Sequence, residues 1–88
     1  MNKYLSEILG TFIFFLIILS TGDPIMIAVG LLIGILLAQI ASPAHLNPAV
    51  TGMMWLQGKV SDSDAVMLVG SQLVAAVLAV YWLNQMKK

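Results

Sequence analysis

Apolar positions gather into three long runs separated by short polar breaks. Residues 4–20 (YLSEILGTFIFFLIILS) form the first, which ends at the turn-prone Thr21-Gly22-Asp23-Pro24. The second covers 25–41 (IMIAVGLLIGILLAQIA) and stops at Ser42-Pro43. The third covers 65–83 (AVMLVGSQLVAAVLAVYWL) and gives way to Asn84 and Lys87-Lys88. Each approaches the ~20 residues a helix needs to cross ~30 Å of hydrocarbon. Three spanning helices are predicted.

A shorter apolar segment, Pro48 to Leu56, lies between the second and third runs. As a helix it rises about 14 Å, half the thickness of a bilayer core. Asn47 is a good N-cap, and Pro48 suits the first helical turn, where its missing N–H costs nothing. Gln57-Gly58-Lys59 then returns the chain to water, and Ser61-Asp62-Ser63-Asp64 supplies capping residues for the third span. Residues 42–57 therefore read as a re-entrant loop that dips to the middle of the membrane and returns as a half-helix. An interfacial helix anchored by Trp55 is the competing reading. It needs a polar face, and Pro48 to Leu56 offers only Thr51.

Composition agrees with lipid as the solvent. Hydrophobic residues make up 60% of the 88, charged residues 9%, and mean hydropathy is +0.99, more than a soluble domain of this length can hide. The fold class expected is an all-α membrane protein, one unit over 1–88, in the cell (inner) membrane. Net charge is zero and every basic residue is a lysine, so nothing points to nucleic acid. One histidine and no cysteine leave neither a metal-ligand cluster nor a nucleophile–base pair. No cofactor, no metal and no enzymatic activity are expected. Lys3 ahead of the first run and Ser20-Thr21-Gly22 after it also fit a cleavable leader, but Glu7 interrupts the apolar core a leader needs.

Two stripes of small residues recur every four positions: Gly30, Gly34, Ala38 and Ser42, and Ser71, Ala75 and Ala79. Such stripes let helices approach closely in lipid. Glu7, Gln39, His45, Asn47 and Gln72 would all lie in or near the hydrocarbon, where each needs a partner or a water-lined cavity.

These residues carry a resemblance. His45-Leu46-Asn47-Pro48-Ala49-Val50-Thr51 resembles the first Asn-Pro-Ala box of the aquaporin and aquaglyceroporin family. Ser6-Glu7-Ile8-Leu9-Gly10-Thr11-Phe12 is similar to that family's opening segment, and Gln72, within Gly70 to Ala76, to the glutamine of its third helix. The resemblance implies a fold of two inverted three-helix repeats with two half-helices, of which this sequence matches the first. A lone half-helix would aim the positive end of its dipole at the bilayer centre with nothing opposite, and leave loop carbonyls open to lipid. The expected partners are membrane lipid, a small neutral solute, and an inverted partner, either a copy of the chain in an antiparallel homodimer, with dimers able to gather further, or a separate second-half chain. Lys3 and Lys59 on one side against Lys87 and Lys88 on the other give no orientational bias, as dual insertion requires.

The resemblance also assigns roles. Asn47, with Pro48 and Ala49, is expected at the pore centre, its amide donating to a passing solute. Carbonyls of Pro43, Ala44, His45 and Leu46 would form an acceptor track. Ile27, Ala44 and Val50 would shape the constriction, and Glu7, His45 and Gln72 would brace the loop. Val50 stands where the family's second box usually has an arginine, so a neutral, more permissive filter is expected. Two other classes compete: a phage holin-like lesion protein, which would not need Asn47, and a non-conducting subunit assembled with another channel chain.

Overall fold

The computed structural model describes residues 1–87, and Lys88, one of the lysines in the orientation count, lies outside them. Four helices follow one another: α1 (Lys3–Ser20), α2 (Pro24–Ala38), α3 (Pro48–Leu56) and α4 (Asp62–Met86). Every start carries its chemical signal. Asn2 Oδ1 accepts the Tyr4 N–H at 2.7 Å, Asp23 Oδ1 accepts the Ile25 N–H at 3.1 Å, and Ser61 Oγ accepts the Asp64 N–H at 3.1 Å. In each case the side chain stands in for a missing intrahelical acceptor.

The second apolar run is helical only to Ala38; residues 39–41 form a turn. Two features account for the early end. Ala38 O accepts the Ser6 hydroxyl of α1 at 2.9 Å, and the Ile40 N–H closes a tighter turn on Leu37 O at 3.3 Å. In the other direction, α4 outruns its apolar core at both ends and reaches 25 residues, about 37 Å. Among the described residues α1 and α4 are long and apolar enough to cross a membrane. The 15 residues of α2 rise about 22 Å, short of the hydrocarbon thickness.

Contacts fix the register. Ser6 meets Ala38 and Gly10 meets Gly34, while Ile17 meets Gly30, so α2 runs antiparallel to α1. Lys3 pairs with Asp64, Glu7 with Gln72 and Phe12 with Trp82, so α4 runs parallel to α1. Along α3, Thr51 touches Gln72 and Trp55 touches Asp62. This helix therefore starts level with Gln72, about 15 Å along α4, and descends to the end where α4 begins. No contact joins α2 to α3.

Polarity is distributed inside out. Fully buried side chains include Ser6, Glu7, Thr11, Thr51 and Gln72, whereas Ile25, Leu36, Val66 and Val77 are each more than half exposed. Water would penalise that arrangement, and lipid rewards it. Small residues make the polar interior accessible: a Cβ on Gly10 would lie 2.2 Å from Gly34 O. Glycine at both positions is what lets the two backbones touch. Gly30, Gly34 and Ala38 all face inward, as do Ser71, Ala75 and Ala79, while Ser42 falls beyond the helix and is half-buried.

Candidate functional site

Residues 39–47 lack regular structure, so their backbone groups need partners from elsewhere. Glu7, one turn into α1 and 2% exposed, supplies them. Its Oε1 accepts the His45 N–H at 3.1 Å. Its Oε2 accepts the Leu46 N–H at 2.6 Å and the Gln72 Nε2–H at 2.9 Å. A carboxylate is the natural residue for this place, because it offers acceptors only and bonds to it are strengthened by charge.

Gln72 also donates from Nε2 to Thr51 Oγ1 at 2.9 Å, and Thr51 Oγ1 lies 2.8 Å from His45 Nδ1. Thr51 Oγ1 accepts from Gln72, and a hydroxyl, with one donor and two lone pairs, can serve either tautomer of the His45 ring beside it. Glu7, His45 and Gln72, the three residues expected to brace the loop, thus meet in one network joining α1, the loop, α3 and α4. Thr51 is the member that the sequence reading left without a role. Its signal was present: it is the only polar side chain in an otherwise apolar short helix.

At the start of α3 the site opens. Asn47, Pro48 and Ala49 are exposed, and Val50 is half-buried. Asn47 is the N-cap, its Oδ1 accepting the Ala49 N–H at 2.7 Å. This bond uses the acceptor end of the amide and leaves the N–H₂ end as the free donor. Pro43 is exposed and Ala44 half-buried. Together with His45, Lys3, Lys59 and Asp64 they line a cavity of about 420 Å³ at the end where the loop and α3 both emerge. Ile27 is half-buried on α2 and has no neighbour on α3. Ala44, Val50 and Ile27 therefore sit on three separate elements. Leu46 is buried, with its backbone in the left-handed region at φ 59°. Gln39 is exposed as the C-cap of α2 and takes no part.

Among the described residues no group of three metal-ligating side chains occurs. The surrounding end of the bundle is tied by one ion pair, Lys3 Nζ to Asp64 at 2.6 Å. Tyr4 donates its hydroxyl to the same carboxylate.

The profile of the major intrinsic protein family matches residues 1–88. Glycerol uptake facilitator protein-like 6 of Lactiplantibacillus plantarum is 34% identical over 90 residues, an alignment covering 90% of this chain and 41% of that protein. The chain thus spans less than half the length of this relative. No solved structure gives a significant match. The family is one of channels rather than enzymes. A polar interior, an apolar exterior and a match along its whole length identify this chain as an integral membrane protein of the major intrinsic protein family.

Proposed function

We propose that the chain forms half of a passive membrane pore for water and small neutral solutes such as glycerol, completed by an inverted second copy. The observation that carries this reading is the tip of α3. A helix that starts mid-bundle, capped by an exposed asparagine with a free amide donor, has no use in a closed lipid-facing bundle. Opposed to a second such tip, it creates a polar centre where two helix N-termini meet. Their positive potential disfavours cations and a proton-carrying water chain. Asn47 of each copy donates to the passing oxygen, Pro48 and Ala49 hold the tip, and carbonyls of residues 43–46 accept. Ile27, Ala44 and Val50 bound the constriction.

The neutral residue at position 50 and the absence of arginine from the sequence favour a filter that admits glycerol alongside water. The name of the facilitator-like relative points the same way. Residence in the cell's inner membrane follows from this role.

Stopped-flow light scattering on proteoliposomes tests the reading. Sucrose shock is expected to give fast shrinkage that Asn47→Asp abolishes, and a glycerol gradient is expected to give fast re-swelling. Shrinkage no faster than in empty liposomes contradicts the pore. Water flux without glycerol entry contradicts the permissive filter. Collapse of the proton gradient, undiminished in Asn47→Asp, identifies a lesion-forming protein instead.

A further inference from the structure

We infer that Leu46, through its side chain and its left-handed backbone, is a positioning residue that sets where the Asn47 tip stands relative to α2. The inference rests on the pore reading for its consequence, though the anchor itself is a matter of structure. Four observations support it. Leu46 is the one non-glycine residue among those described with positive φ, at 59°, a conformation that residues bearing a Cβ adopt at a cost and keep only when their surroundings hold them. Its N–H is fixed to Glu7 Oε2 at 2.6 Å.

Its side chain is 2% exposed and fills the notch left by Gly34. A Cβ at Gly34 would lie 2.7 Å from Leu46 Cδ2. Finally, the three residues after Leu46 are all exposed, so it is the last anchored point before the tip. The far side of the tip is tied to α4 through Thr51 and Gln72. The near side has no direct contact between α3 and α2. Leu46 in the Gly34 notch supplies the missing link, and with it the spacing between α2 and the tip.

The test is amide hydrogen exchange at Ala49, whose N–H is held by Asn47, read in full-length protein in bilayers beside water permeability. In Leu46→Ala, exchange at Ala49 is expected to rise about tenfold, because protection there reports local opening. Permeability per folded protein should fall with it. Leu46→Met should restore both, since its unbranched chain reaches the same notch. Leu46→Ile should not, because a β-branched residue is poorly tolerated at positive φ.

The Met and Ile variants keep the apolar volume, so they decide the matter if Leu46→Ala fails to fold. Unchanged Ala49 exchange in Leu46→Ala and Leu46→Ile, whatever happens to thermal stability, overturns the proposal and reduces Leu46 to packing. An Ala49 response in protein that never conducts supports the anchor and removes the pore reading instead.

Discussion

Two places one turn apart on α1 are held by different physics. At Gly10 the neighbour is α2, whose backbone satisfies its own hydrogen bonds, and shape alone matters: the glycines bring helix against helix. At Glu7 the neighbour is an irregular loop with unpaired N–H groups, and a buried carboxylate accepts two hydrogen bonds from it, with a third from Gln72 of α4. Within lipid, a regular neighbour asks for small residues and an irregular one asks for acceptors. The contrast explains why a chain so apolar keeps an acid in its interior.

Breaking the polar side should have the largest effect. Glu7→Leu leaves two loop N–H groups without an acceptor and removes one of the two held by the Gln72 amide, at roughly 1–3 kcal/mol each. A loss of about 4 kcal/mol is expected in thermal unfolding in detergent, with the loop disordered but α1, α2 and α4 still helical. A loss below about 1 kcal/mol would show that the loop has another source of acceptors. The packing side comes next. Gly10→Ala forces a Cβ into Gly34 O and should cost about 1–3 kcal/mol, the usual range for overpacking. Gly70→Ala, where nothing lies within 4 Å of the added Cβ, should be neutral or gain up to about 1 kcal/mol from helix propensity. Equal behaviour of the two would deny that close approach is what the Gly10 seam needs.

A finer comparison lies between two buried threonines. Thr51→Val breaks two bonds of the network and should cost about 1–2 kcal/mol. Thr11 Oγ1 is buried without a partner in the structure, so Thr11→Val should change stability by less than about 0.5 kcal/mol or improve it slightly. If Thr11→Val proves as harmful as Thr51→Val, its hydroxyl has a partner and the interior network is larger than drawn.

Local chemistry made much of this readable before the structure. Asn47-Pro48 marks the start of α3, Gln57-Gly58 its end, and the apolar runs mark the long helices. The early stop of α2 was not readable, because it depends on Ser6 reaching Ala38 O across 32 positions of sequence. Nor was the extra length of α4, whose ends are polar and stay helical through capping rather than hydropathy. Glu7, His45 and Gln72 stood out as polar groups in apolar surroundings. Thr51 stood out only as the lone polar residue of the short helix; its place in the network comes from facing Gln72, a matter of helix register. Leu46 was expected to offer only a carbonyl; its left-handed backbone and its fit to Gly34 are tertiary facts that no residue pattern states.

The central claim is that two copies meet tip to tip in opposite orientations. Because the sequence has no cysteine, Ala49→Cys places a single thiol on the exposed start of α3. In reconstituted membranes, oxidation should convert it to a disulfide-linked dimer, while a thiol at the exposed turn residue Gly22 should stay monomeric. A conducting preparation in which the Ala49 thiol never crosslinks, or in which every copy faces the same way, would contradict the account.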